Sequence, residues 1–477
     1  MHPRFLVPRP KQINSGNGYH LLSDDSVFAA PEEFRKNLLD TVQRYWGITP
    51  HFTAISSGAN TGDGSYKVEI SSDKVTLYVK SQNELSGALK TLRQWAEPER
   101  DLISSPRSIL ECGSFSDSPG LEFRGIHLCY FRETEEWELE KLIRLAAYCK
   151  FNYAVIEFWG TFPFRKHPEF QWQEKHGNRE FIRHLIELSH ELDITLIPQF
   201  NCFGHAAGSS VSNGWHVVLD RFPHFAPLFE PDGWTWCLSN PETGNVQREL
   251  LEEIFELFGD VPYFHLGFDE AFNAGTCTLC RQSDYPQLLL KHILFLHDIL
   301  AAHNCKAILW HDMFLELDAE KWQHNITLDR NTPNPYEILE KLPRDIILAD
   351  WHYGKPQADK SGVFWPTADH FAAKGFKVLL CPCVNEEGIL TMAEQAADHN
   401  LPGLLETTWV AVSGTALLRK IFFVTANKMW NRSWKPEPGF ADEYNVVNHL
   451  LRQIGHDMKF SETEKFGSIY TGYSFFP

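Results

Sequence analysis

Asp269 and Glu270 stand side by side at the end of Phe264-His265-Leu266-Gly267-Phe268-Asp269-Glu270-Ala271. Neighbours on a strand point to opposite faces, and a carboxylate buried without a partner is costly. Where the backbone turns out of a strand, both can address one cavity. Two carboxylates in a partly desolvated pocket have their pKa values pushed apart, leaving one acid and one base near neutral pH. Glycoside hydrolysis uses such a pair. The same dipeptide also suits a helix N-cap, so alone it does not decide. His205 follows Pro198-Gln199-Phe200-Asn201-Cys202-Phe203-Gly204, and Trp310, Trp351 and Trp409 each close an apolar run. Three indoles at one rim can wall an apolar pocket. The chain holds 15 Trp and 35 Phe, a supply of flat rings on which sugar faces can stack.

These residues need elements to hold them. Eight short apolar runs, at 123–130, 153–159, 195–200, 263–270, 307–312, 346–352, 378–384 and 403–409, alternate with helical patterns such as 138–150, 180–192 and 247–258. Eight buried strands with intervening helices predict a (β/α)8 TIM barrel, which takes about 250 residues. Polar or aromatic residues end six of the runs, and the C-terminal strand ends of such barrels form the active-site mouth. Before the barrel, 66–71 and 75–80 alternate as a hairpin around Ser71-Ser72-Asp73-Lys74, and 83–95 has helical spacing. The expected organisation is an α+β domain at 1–118, ended by a turn-rich linker over 114–120. The catalytic barrel follows at 119–430, and a helical tail packed on it at 431–477.

Forty-four Lys and Arg against 62 Asp and Glu give a net charge of −18, which disfavours nucleic acid or an anionic membrane as partner. No apolar run reaches the roughly 20 residues of a membrane span. Proline interrupts the first ten residues before any signal-like apolar region forms. The ten cysteines are scattered, several within apolar runs, as reduced buried thiols are. A cytoplasmic location is expected. Cys277-Thr278-Leu279-Cys280 has the spacing of half a zinc site, with Cys202 or Cys237 as conceivable completions. The reading taken is reduced loop cysteines, with no metal and no cofactor. Phosphate-binding glycine loops and serine nucleophile elbows are absent from the sequence, which excludes the usual dehydrogenase and α/β-hydrolase sites.

In their order along the chain, Arg124-Gly125-Ile126-His127-Leu128, the 198–205 segment, His265-Leu266-Gly267-Phe268-Asp269-Glu270, Leu309-Trp310, Asp350-Trp351 and the 403–409 run resemble the motifs of glycoside hydrolase family 20, the β-N-acetylhexosaminidases. The Phe-Pro-Phe turn at 162–164, Phe203-Gly204-His205 and Asp350-Trp351-His352-Tyr353 look closest to the hexosaminidase D branch, whose members are intracellular and often prefer galactosamine substrates. The resemblance implies exo-acting, retaining hydrolysis of terminal β-linked GalNAc or GlcNAc, assisted by the substrate's acetamido group through an oxazolinium ion. Glu270 is then acid and base, and Asp269 holds the acetamido N–H. Trp310, Trp351 and Trp409 enclose its methyl, and Tyr353 donates to its oxygen. Arg124 binds the ring hydroxyls, and His205 lines the site. The chain departs from the family at Cys129, at 156–160, at 381–387 and at 410–412, where a usual glutamate is missing. Glu157, Asn385 and Glu386 are the substitutes considered for reading the 4-hydroxyl. A barrel exoglycosidase for sugars without an acetamido group, and a catalytically silent sugar-binding protein, are the alternatives. The implied partner is a small carbohydrate; a homodimer is left open.

Overall fold

The computed structural model describes residues 6–56, 64–99, 107–174, 176–209, 214–318, 321–322, 335–358, 362–409, 416–436 and 446–458. They fall into two compact units, one drawn from residues up to 122, 144–151 and those from 422 onward, the other from 123–143 and 152–421.

The first unit is built on strands β1 (Gln12–Leu21), β2 (Val27–Pro31), β3 (His51–Ile55), β4 (Tyr66–Ile70), β5 (Lys74–Tyr78), β6 (Glu97–Pro98) and β7 (Ser108–Asp117). They make one seven-stranded sheet in the order β1-β7-β4-β5-β2-β3, with β6 against β7. The expected β4–β5 hairpin is antiparallel, with Ile70 opposite Val75. Helices α1 (Arg35–Trp46) and α2 (Gln82–Trp95) supply the rest of the core, Leu38, Leu85, Leu89 and Leu92 packing with Val68, Leu77 and Phe115. Ser81 caps α2 by accepting the Glu84 N–H. The stretch read as a linker is corrected: 114–117 lies in β7, in register with β4. Its serines sit at alternate positions of a sheet whose other face carries Phe115. The expected helix near the C-terminus is α10 (Val447–Asp457). It belongs to this unit, where Asp457 takes Arg93 and the Tyr148 hydroxyl; the expectation of a tail on the barrel does not describe it. Residues 437–445 and 459–477 of that tail lie outside the described residues.

The second unit is a closed parallel barrel of eight consecutive strands: β8 (Phe123–Tyr130), β9 (Tyr153–Phe158), β10 (Thr195–Gln199), β11 (Tyr263–His265), β12 (Lys306–Trp310), β13 (Ile347–Trp351), β14 (Lys377–Cys381) and β15 (Gly403–Thr407). All eight apolar runs thus became strands, because both faces of a parallel barrel strand are buried. Helices α3 (Glu136–Tyr148), α4 (Arg179–Glu191), α5 (Pro241–Phe258), α6 (Tyr285–Ala302), α7 (Pro366–Ala373) and α8 (Glu386–Asp398) connect them, and α9 (Ala416–Trp430) follows β15. Asn178, Asn240, Asp284 and Asn385 cap α4, α5, α6 and α8. Inside the barrel, Phe123, Tyr153 and Tyr263 stack at the strand starts, Phe123 and Tyr153 with centroids 4.3 Å apart. Val155, Ile197, Ile308, Ile347, Leu379 and Leu405 fill the middle, and Trp310, Trp351 and Trp409 stand at the strand ends. Among the described residues no helix is long and apolar enough to cross a membrane.

One buried ion pair anchors the first unit. Lys150 Nζ lies 3.1 Å from Asp117 Oδ2 and donates to the Tyr66 hydroxyl at 3.0 Å, over the Trp430 ring. Both charges are almost wholly buried. Removing one partner leaves the other uncompensated, so Asp117→Ala is expected to cost about 3–5 kcal/mol, read as a lower urea midpoint. A loss under about 1 kcal/mol means that the pair carries little of the unit's stability.

Candidate active site

The β11 ladder stops at His265, five residues short of the run's end. From there the chain turns through left-handed backbone at Gly267 (φ 74°), Phe268 (φ 85°) and Glu270 (φ 48°). Two non-glycine residues in that region are strained. This path breaks the strand alternation and lets Asp269 and Glu270 address one space. The turn is held from below, since His265 Nδ1 accepts the Gly267 N–H at 3.1 Å. It is held from the side by the segment after β10: a Cβ on Gly204 would stand 1.9 Å from the Asp269 carbonyl oxygen, so only glycine permits this approach.

His205, itself left-handed at φ 49°, stands between the two acids. Its Nε2 lies 3.4 Å from Asp269 Oδ2 and 3.2 Å from Glu270 Oε2. Its ring packs on Trp234 at 4.2 Å and against Trp159 at 5.5 Å. Burial opposes charge on the imidazole, but Asp269 and Glu270 outweigh it and raise its pKa from 6.5 to about 9. Burial pushes the Asp269 carboxyl well above its usual range; His205 counters this, while Asp312, Glu157 and Glu270 add to it. A proton is thus held between Asp269 and His205. Asp269 Oδ1 is buried and has no hydrogen-bond partner among the described residues. Glu270 is the more open of the two acids, its side chain 33% exposed against 9% for Asp269. The Trp234 indole N–H donates to the Glu270 carbonyl.

The three expected tryptophans do come together. Trp310 and Trp409 lie 5.7 Å apart, and Trp351 stacks on Tyr353 at 5.1 Å. Trp409 donates its indole N–H to the Tyr353 hydroxyl at 2.6 Å. The phenol oxygen is the acceptor in that bond, and Thr407 is a second hydrogen-bond partner of the phenol. Asp312, fully buried, ties this cage to the acids. One of its oxygens accepts the Glu270 N–H at 2.9 Å and the other the Trp351 indole N–H at 3.1 Å. Behind them Asp350 takes His311 at 3.0 Å, His352 at 3.1 Å and the Thr367 hydroxyl at 2.8 Å.

Other expected site residues stand differently. Arg124 is at the start of β8, in register with Leu404, while Phe123 and Gly125 face the barrel interior. Strand alternation turns Arg124 outward, at the end of the barrel away from the acids, and the expectation that it reaches a ring diol is corrected. Glu157 is at the mouth but engaged: Oε2 is 2.9 Å from His127 Nε2, and Oε1 accepts from Asn201 Nδ2 at 2.7 Å. Asn385 Oδ1 caps α8 by accepting the Gly388 N–H, and Glu386 pairs with Lys420 at 3.0 Å. These contacts occupy one oxygen of each side chain. Cys129, where the family has an acid, points its thiol at Glu157. The 410–412 segment lies outside the described residues. Asp312, Trp234 and His127 were not singled out as site residues. Only Asp312 carried a usable signal, at the polar end of an apolar run; Trp234 arrives from a loop with no periodic pattern.

Residues 161–382 match the profile described as the catalytic domain of glycosyl hydrolase family 20. That span holds His205, Asp269, Glu270, Trp310, Asp312, Trp351 and Tyr353. A sequence comparison with curated proteins finds no match. Among solved structures, the chain is similar to an exo β-N-acetylglucosaminidase from Vibrio harveyi in complex with N-acetylglucosamine (16% identity, TM-score 0.67, covering 96% of this chain and 78% of that one). It is also similar to the β-N-acetylhexosaminidase of Bacteroides fragilis (18%, TM-score 0.67, covering 96% and 99%) and that of Streptomyces coelicolor (14%, TM-score 0.65, covering 98% of each). At these identities the likeness establishes the fold.

Two measurements check this geometry. A raised pKa means that protonated His205 stabilises the folded state fully below pH 6.5 and loses that contribution as pH rises through about 9. The stability advantage of wild type over His205→Asn should therefore shrink across that window, by at most about 3 kcal/mol. An advantage that grows with pH contradicts the charged bridge. Gly204→Ala should displace the Asp269 backbone, costing about 1–3 kcal/mol of stability and roughly 100-fold in kcat/KM; full activity in that variant contradicts the close approach.

Proposed function

The chain is a glycoside hydrolase with a family 20 catalytic domain, and from that premise we propose that it is an exo-acting, retaining β-N-acetylhexosaminidase releasing terminal β-linked GalNAc or GlcNAc. One observation carries the reading: a buried acceptor, Asp269 Oδ1, has no donor among the described residues and lies in a site whose Asp312 links the acids to a cage of Trp310, Trp351, Trp409 and Tyr353. An acetamido N–H supplies that missing donor, its methyl suits the indoles, and the Tyr353 hydroxyl is the candidate donor to its carbonyl oxygen.

The acetamido oxygen attacks the anomeric carbon as the glycosidic C–O bond breaks, and Glu270 protonates the departing oxygen. The resulting oxazolinium ion carries positive charge beside Asp269, which offsets it. Glu270, now a carboxylate, takes a proton from water as that water attacks the same carbon and returns the acetamido group. Two inversions give retention. His205 Nε2, within 3.4 Å of both acids, holds their side chains in place. Desolvation by the indole cage keeps the acetamido group in its attacking pose and other water away from the ion.

With Arg124, Asn385 and Glu386 placed or engaged elsewhere, the choice between galacto and gluco configuration rests on other groups around the ring. The resemblance to the hexosaminidase D branch supports a galactosamine preference. Ten free thiols, nine of them buried, support a reducing compartment and so a cytoplasmic enzyme.

Initial rates on aryl β-glycosides of GalNAc, GlcNAc, galactose and glucose test this directly. Turnover confined to the two acetamido sugars is expected; comparable rates on the plain hexosides point to a protein nucleophile and overturn the reading. Asp269→Ala should lose about 100- to 1,000-fold on acetamido substrates. Glu270→Gln should lose about 100- to 10,000-fold where the leaving group is poor, and much less where it departs unprotonated.

A further inference from the structure

Beyond the acids, the loop leading to α6 meets the loop that carries Trp234. Cys277 and Cys280 come from the first, and Glu230 and Cys237 from the second. One ligand atom from each lies within 4.8 Å of all the others. Cys237 Sγ is 3.5 Å from Cys277 Sγ and 3.7 Å from Cys280 Sγ. A disulfide needs about 2.05 Å. A tetrahedral zinc ion with bonds of about 2.3 Å to sulfur sets its sulfurs about 3.8 Å apart. The thiols therefore stand near the edges of such a tetrahedron.

The surroundings fit a metal as well as the distances do. The Cys280 N–H donates to Cys277 Sγ at 3.3 Å, a bond that orients and charge-stabilises a ligand thiolate. Glu230, 1% exposed, is clamped by the N–H groups of Gly275 at 3.2 Å and Cys277 at 2.6 Å. Among the described residues it has no cationic side-chain partner, and a buried carboxylate without one is costly. The Tyr285 hydroxyl, buried without a hydrogen-bond partner among the described residues, feels Glu230 and all three cysteines. A thiolate there would be its acceptor. Cys202, the other cysteine weighed from the sequence, is not in the cluster.

We propose that Glu230, Cys237, Cys277 and Cys280 form a structural zinc site that clamps the two loops on either side of the catalytic acid. Four protein ligands close the coordination shell, so the ion has no open position for substrate or water. Binding displaces the thiol protons to solvent as the ligands become thiolates. The clamp bears on catalysis by position. Trp234 lies three residues before Cys237, donates to the Glu270 carbonyl and packs on His205. Cys277 lies seven residues beyond Glu270 on the same loop. The expectation of unligated loop thiols gives way to a ligand set assembled from two segments.

The test is elemental analysis of the full chain, produced with zinc available and purified under reducing conditions. One zinc per chain is expected, released when an organomercurial blocks the thiols and taken up again after the thiols are restored. Cys237→Ser and Cys280→Ser should lose at least nine-tenths of the zinc and show a lower Tm, whereas Cys202→Ser keeps the metal. If the ligand variants do not fold, wild-type protein unfolded in a zinc-binding dye should release one equivalent of zinc. Zinc-free protein whose Cys237, Cys277 and Cys280 all react with a thiol reagent overturns the proposal. So does a disulfide among them found by mass spectrometry, which would make the cluster a redox pair, and so does zinc that persists in both ligand variants.

Discussion

Glu157, Asp269, Asp312 and Asp350 are carboxylates buried at the C-terminal end of this barrel, each at most 7% exposed, and the arrangement of the site follows from satisfying them. A buried carboxylate needs a donor or a cation. Here the donors are imidazoles, indoles, amides, hydroxyls and backbone N–H groups: His127 and Asn201 for Glu157, His205 for Asp269, His352 and Thr367 for Asp350, and the Trp351 indole with the Glu270 N–H for Asp312. Imidazole and indole are flat and rigid. Each donor therefore fixes the orientation of its ring, and the rings in turn define the cavity walls.

That choice of donors shapes the chemistry. Lysine or arginine at these positions would pin a full positive charge beside the acids. His205 instead can carry a proton or release it, and it is shared by the two carboxylates. Of the oxygens of these four carboxylates, Asp269 Oδ1 is the one left without a hydrogen-bond partner among the described residues. An open acceptor in a nearly closed network is where a substrate donor is best rewarded, since no donor among the described residues competes for it. The strained backbone at Phe268 and Glu270 belongs to the same picture: it is held by Asp312, Trp234 and the close approach of Gly204.

Much of the barrel was legible because its strands are buried on both faces and so read as continuous apolar runs. The first unit was less so. Its edge strand β1 runs through Gln12–Leu21 with mostly exposed, polar residues, and such a segment carries neither alternation nor an apolar run. In β7 the serines at 114 and 116 resembled a turn because strand pairing, not side-chain apolarity, holds them extended. The 263–270 run was legible as a strand but not in its ending. The same eight residues hold three of strand and a tight left-handed turn, and only the turn lets neighbouring acids face one cavity.

By itself the sequence determined which residues end the barrel strands, and hence that Asp269, Glu270, His205 and three tryptophans lie at one rim, because hydrophobic periodicity is a local property of the chain. Tertiary structure decided what each rim residue does. Arg124 is turned outward by the alternation of β8, Asn385 is spent on a helix cap, and Glu157 is taken by His127 and Asn201. Cys237 meets Cys277 and Cys280 across 40 residues of chain. Which face of a strand is inward, and which donor reaches which carboxylate, depends on ring closure and on partners distant in sequence. No local spacing encodes those distances.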